Sequence, residues 1–217
     1  MLSRLIKNTG VLSSLAVGLA LGCGFALLAA AKRKKPIHTK GVIASGLWHI
    51  YHLADRGVPL FDDGQKRKVL CRLSRSLSLG TRYDVMGLAL RLYESQGTSH
   101  SDLLFVTTGE GRYSRYIPTL HREMGDGTYT TLLPLQCRQG LLWTRLQPIS
   151  ARRYSIALNS AREGWEVIGE LQLAELQTDD QSLRFDPIGA LPEGLSWPLW
   201  VRRLRAPSYS LSRTITS

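Results

Sequence analysis

Cysteine is scarce in this chain. There are three, Cys23, Cys71 and Cys137, with no two spaced as CxxC. An odd, dispersed set excludes both a disulfide framework and a cysteine-based zinc site, and it favours a reducing compartment. Acidic residues are missing from one region altogether. Residues 1–35 hold Arg4, Lys7, Lys32, Arg33, Lys34 and Lys35 and no acid; taking those six from 28 basic residues leaves 22 against 17 acids, so only +5 of the +11 net charge lies beyond. The Arg152-Arg153 and Arg202-Arg203 pairs are too sparse for a nucleic-acid surface, which needs clustered basic residues among exposed aromatics. Also missing are a P-loop lysine in Thr107-Thr108-Gly109-Glu110-Gly111, a Ser/His/Asp arrangement and a pair of catalytic carboxylates. His49 and His52 stand three apart with no third ligand at a metal-binding spacing.

Charge is also absent from Thr9 to Ala31, a run of 23 residues, TGVLSSLAVGLALGCGFALLAAA. As a helix it is long enough to cross a hydrocarbon core of about 30 Å. A secretory signal has a shorter apolar region, about 7–15 residues, so an uncleaved single-pass anchor is the expected form. Lys32-Arg33-Lys34-Lys35 follows the run, while Arg4, Lys7 and the amino terminus precede it. The positive-inside rule therefore places the folded part on the cytoplasmic side, by a small margin. The expected organisation is residues 1–35 as anchor and basic flank, and 36–217 as the folded domain.

After Pro36 the hydrophobic period falls to near two. Expected strands are 41–52, 68–75, 88–94, 102–108, 128–136, 140–148, 153–160 and 165–173, with turns at Gln139-Gly140 and 161–164. Ile156 and Leu158, and then Val167, Leu171 and Leu173, are expected to face one core. Connections 53–67 and 109–127 lack a strand pattern. Residues 195–205 read as a short helix with Trp200, Val201 and Leu204 on one face. Eight short strands with tight connections suggest an all-β, antiparallel barrel, which removes its own edges. The other tryptophans, Trp143, Trp165 and Trp197, read as packing residues rather than a cofactor stack.

Four segments resemble the haem catalase superfamily, and especially its small catalase-like barrel members. Ile37–Gly46, IHTKGVIASG, resembles the opening strand that carries the distal histidine. Arg72-Leu73-Ser74 resembles the Arg-Phe-Ser of the second strand. Residues 84–93, DVMGLALRLY, resemble the Asp-Pro-Arg-Gly-Phe-Ala-(Val/Leu)-Lys-Phe-Tyr signature. Arg205 and Tyr209 have the Arg-x-x-x-Tyr spacing of the proximal haem motif. The chain is much shorter than a large catalase.

The resemblance implies an eight-stranded catalase-like barrel and haem as cofactor. His38 would be the distal acid–base group and Ser74 the residue that fixes its tautomer. Arg72 and Lys35 would face the propionates, Lys35 as a single-point donor where catalases use arginine. Tyr209 would ligate the iron, with Arg205 holding it as tyrosinate. These residue types suit the chemistry. Histidine exchanges protons near neutrality, and tyrosine, with a free pKa of about 10, needs a neighbouring cation to become a phenolate. The implied substrates are peroxide or a lipid hydroperoxide. Two features depart from the family. The distal asparagine is replaced by His100-Ser101-Asp102, where Ser101 is the nearest equivalent, and little chain lies between Leu173 and Trp197 to wall the proximal side. A haemless barrel acting as a binding or scaffolding module at the membrane therefore stays open beside the haem reading. So does a hydrolase in a remodelled pocket.

Overall fold

The computed structural model describes residues 41–75, 82–94, 99–160, 164–178, 183, 185–187 and 189–201. The expected anchor, its basic flank, Lys35, His38, Leu204, Arg205 and Tyr209 lie outside the described residues. Among the described residues no helix is long and apolar enough to cross a membrane.

The chain runs β1 (Gly41–Ile50), α1 (Pro59–Asp62), β2 (Lys66–Arg75), β3 (Asp84–Tyr93), β4 (His100–Thr107), β5 (Leu120–His121), β6 (Tyr129–Thr130), β7 (Leu135–Cys137), β8 (Gly140–Ser150), β9 (Arg153–Ser160), β10 (Trp165–Leu173) and β11 (Gln177–Thr178). Eight of these form a closed antiparallel ring in the order β1-β2-β3-β4-β6-β8-β9-β10, with β10 returning to β1. The short strands β5, β7 and β11 pair with β3, β8 and β1 as flanking additions. An all-β barrel of eight antiparallel strands is thus what the period-two pattern builds.

Alternation along each strand sends one set of side chains inward. Trp48, Cys71, Leu73, Leu88, Leu90, Phe105, Leu146, Ile156 and Leu171 fill the interior with barely any exposure. At one rim, α1 inserts Leu60 and Phe61 beneath Trp48, with ring centroids 6.4 Å apart. Asp62 anchors this plug by accepting from the Arg56 and Val58 amides at 2.9 and 2.7 Å. Pro59 begins the helix where a missing donor costs nothing.

Three expectations are corrected. The segment 128–136 is not one strand. It splits into β6 and β7 because Leu132 takes a left-handed φ of 49° and Pro134 has no amide to donate. Val167 does not face the core and is 43% exposed, whereas Ile168 is fully buried. A register shift against β9 between Val167 and Gly169 reverses the parity of β10, as a β-bulge does. The C-terminal helix starts later than expected. Ser196 bridges Gln136, and helical structure begins at 199 after Pro198.

Burial desolvates the interior ionisable groups. It raises Cys71 and Tyr129 above their ordinary values and pushes Tyr154 up to about 12. These three groups stay neutral at physiological pH.

Barrel closure depends on close approach at the β1–β10 seam, where a Cβ at Gly169 would stand 2.3 Å from the His49 carbonyl oxygen. Gly169→Ala is expected to cost at least about 2 kcal/mol, lowering Tm by roughly 4–8 °C. Gly164→Ala, which meets nothing within 4 Å, is expected to stay within about 0.5 kcal/mol of the parent in the same thermal melt.

Candidate functional site

The packed interior leaves the outer wall as the place for a sizeable ligand. On β1–β4 the register sets the outward residues in cross-strand rows. One row is Gly41, Ser74, Gly87 and Val106; the next is Ile43, Arg72, Ala89 and Leu104. Glycine and alanine hold the centre of this wall, so it is low and apolar there. Leu104 is 44% exposed at its edge. Arg72 and Ser74 are both half-buried, and they face outward between the inward-facing Cys71 and Leu73.

Of the residues singled out in the sequence, Arg72 and Ser74 therefore share one face, two positions apart on β2. Ser74 pairs directly with Gly41, the first residue of β1. His38, Lys35, Arg205 and Tyr209 lie outside the described residues. Ser101 is placed on the other side of the sheet: it pairs with Leu92 among inward-facing residues and is buried. The outward position is occupied by its neighbour Asp102. Strand parity is the reason, since adjacent residues point to opposite faces.

Asp102 anchors a latch that the sequence did not signal. Fully buried, it accepts from Arg91 Nε at 2.9 Å and Nη2 at 2.8 Å, and from the Asp186 amide at 2.7 Å. The bidentate hydrogen bonds with Asp102 raise Arg91 further above its ordinary value. The Arg91 guanidinium carbon lies 5.1 Å from the Phe185 ring centre, and the Asp102 amide donates to the Ala190 carbonyl. The latch ties Asp186 and Ala190 to β4 where Arg91 pairs with Asp102.

The opposite wall carries a second cluster. Arg115, from the 109–127 connection, places its guanidinium carbon 4.9 Å from the Trp143 centroid and 5.6 Å from that of Trp165; Arg145 lies 4.8 Å from Trp165. Arg115 also donates to Asn159 Oδ1 at 2.7 Å, and Arg145 pairs with Glu110 at 3.1 Å. Desolvation lowers both arginines from their ordinary value. The tryptophans are packing residues here, and what they pack is a cationic strap. Position alone could not reveal it, because Arg115 lies about 30–50 residues from both rings. At the plugged rim, His49 and His52 flank Tyr51 edge-on, with centroids 6.0 and 5.0 Å away. Among the described residues no group of three His, Cys, Asp or Glu side chains is placed to hold a metal.

No protein-family model matches the chain, and no curated protein matches it. Among solved structures it is similar to a bacterial catalase at 14% identity, with a TM-score of 0.52. The match covers 86% of this chain and 58% of that one, so the chain spans under two thirds of the catalase's length. The likeness shows a shared fold.

Asp102→Asn removes one carboxylate oxygen from a buried charge pair. It is expected to destabilise the chain by about 3–5 kcal/mol and to speed hydrogen exchange at the Asp186 and Ala190 amides before the rest of the barrel opens.

Proposed function

We propose that this chain is a membrane-anchored, catalase-like haem protein that reduces or rearranges peroxides, with the porphyrin lying against the outer β1–β4 wall. The observation that carries this reading is the wall itself. Gly87 and Ala89 form a low centre with Leu104 and Val106 on one side and, on the other, a cation, Arg72, and a hydroxyl, Ser74, side by side on β2. A porphyrin needs that combination: apolar contact for the ring and a charged partner for its propionates.

Haem, when bound, supplies the redox centre for peroxide O–O cleavage. The chain's own residues do the rest. His38 moves a proton between the peroxide oxygens. It stands three positions before Gly41, at most about 10 Å of extended chain, and Gly41 pairs with Ser74, whose hydroxyl would fix its tautomer. Arg72 and Lys35 hold the propionates. Arg205 would favour the phenolate form of Tyr209, which would hold the haem iron. Reduction of a peroxide draws electrons from an organic donor, whereas rearrangement of a lipid hydroperoxide needs no external reductant.

One observation favours a second reading, a haemless barrel that binds or scaffolds partners at the membrane. With Ser101 facing inward and Asp102 engaged by Arg91, the described part of the wall has no amide-like group to position peroxide opposite the histidine.

The reading is tested by titrating the full-length protein with haem. One haem per chain, with a tyrosinate-type ferric spectrum, is expected; Tyr209→Phe should abolish that spectrum, and Arg72→Ala should weaken haem affinity about tenfold. His38→Ala should keep the Soret band and lose peroxide turnover. Absence of a stoichiometric Soret band would leave the haemless reading.

A further inference from the structure

The barrel has two rims of different character. The plugged rim holds α1, and its exposed Tyr51, Leu53 and Tyr93 stand among exposed charges of both signs, Asp55, Asp63, Glu94, Glu166 and Glu193 with Lys66, Lys68 and Arg138. The other rim is where β1, β3 and β9 begin and β2, β4, β8 and β10 end. Five large apolar side chains are exposed there: Tyr83 at 44%, Ile117 at 46%, Leu120 at 54%, Ile149 at 56% and Leu176 at 42%. Tyr83, Ile149 and Leu176 come from three separate segments and Ile117 and Leu120 from the 109–127 connection, so no single amphipathic element accounts for them.

Arginines stand among these side chains. Arg122 lies with its guanidinium carbon 4.7 Å from the Tyr83 ring centre, and Arg75 donates to the Arg122 and Arg82 carbonyls at 2.9 and 3.4 Å. Across the rim, Arg152 and Arg153 line a shallow open depression of about 470 Å³ between residues 150–153 and 172–174, and Arg153 pairs with Glu170 at 2.7 Å. The exposed acids on this rim are Glu123, Asp126 and Glu175, while Asp84 is buried. Gly41 lies at this same rim, and Lys32, Arg33, Lys34, Lys35 and Lys40 precede it within nine residues. The charge-free run 9–31 ends immediately before those basic residues.

We infer that this rim rests on the bilayer, with Tyr83, Ile117, Leu120, Ile149 and Leu176 entering the headgroup layer and the arginines meeting anionic lipid phosphates. Aromatic and aliphatic tips beside arginines are the composition of an interfacial surface, because the arginine stems lie along apolar surface while their heads reach phosphate. Gly41, ten positions after Ala31, opens β1 at this rim, so the basic flank of the charge-free run adjoins it in sequence. In this orientation the outward β1–β4 wall opens sideways along the membrane surface, so a substrate leaving the lipid layer would reach Ser74 and Arg72 before Arg91. The inference rests on the anchored reading of residues 9–31.

The test is hydrogen exchange of the full-length chain in phosphatidylcholine bilayers with and without phosphatidylglycerol, and in detergent. Amides of 117–122, 149–153 and 174–176 are expected to exchange about tenfold more slowly in the anionic bilayer than in detergent, with 51–55 unchanged. The Leu120→Glu, Ile149→Glu double variant, at two exposed positions, should lose that protection and still resist carbonate extraction. Equal exchange in all three media, in a chain that resists carbonate, would overturn the rim's role and leave the anchor standing. Protection that persists in detergent and grows with protein concentration would assign the rim to a second copy of the chain and overturn its role at the bilayer. Release of the parent chain by carbonate would overturn the anchor and this orientation with it.

Discussion

Closure of the barrel depends on how closely β1 and β10 approach. The pairing runs from Gly46 opposite Leu173 to Ile50 opposite Gly169. A Cβ on Gly46 would stand 2.6 Å from the Gln172 carbonyl oxygen, and one on Gly169 would stand closer still to that of His49. Two glycines on facing strands thus permit backbone contact that any side chain would prevent. Without that contact the sheet would present two open edges, each with unpaired amides and carbonyls. The bulge at Val167–Gly169 belongs to the same arrangement. It bends β10 toward β1 and turns Ile168 into the core.

Once closed, the ring separates packing from chemistry. Large apolar side chains fill the interior, and α1 seals one end, so polar and ligand-facing groups have only the outer surface. That surface is divided by what covers it. The Arg115 strap lies over Trp143 and Trp165 on one wall. Phe185, Asp186 and Ala190 are held against the other by Arg91 and Asp102. Between them the β1–β4 wall leaves Gly87 and Ala89 part-exposed beside the exposed Leu104. Both coverings stack arginine on an aromatic face; Arg91 and Arg145 also pair with an acid, whereas Arg115 donates to the Asn159 amide oxygen. Desolvation acts against each guanidinium. The bidentate carboxylate outweighs it for Arg91, while at Arg115 and Arg145 desolvation is the larger effect.

The two proposals meet at the rim where β1 begins. Ser74 and Gly41 close the wall at that level, and Arg75 is the next residue along β2. A ligand on the wall and a lipid surface at the rim would therefore be neighbours. A barrel of this orientation would take an apolar hydroperoxide from the bilayer with little exposure to water.

Much of the architecture is legible in the residues themselves. Period-two alternation located the long strands to within a few residues, because burial of one face of a strand is a local, repeated property. The same alternation put Arg72 on the face opposite Cys71 and Leu73. Local pattern failed where the backbone departs from regular pleat. Nothing in TYTTLLPLQ announces that Leu132 takes a positive φ, and nothing in WEVIG marks the bulge that exposes Val167. The candidate site divides in the same way. Arg72 and Ser74 were visible as a motif, but their row with Gly87, Ala89 and Leu104 exists only through cross-strand register. The inward turn of Ser101, the Asp102 latch and the Arg115 strap each join residues far apart in the chain. The sequence by itself determined strand period, the apolar interior and the basic, charge-free amino-terminal region, all of which are properties of neighbouring residues. Which side chains share a wall or a rim was decided by ring closure and register, since only the folded sheet brings distant strands within contact distance.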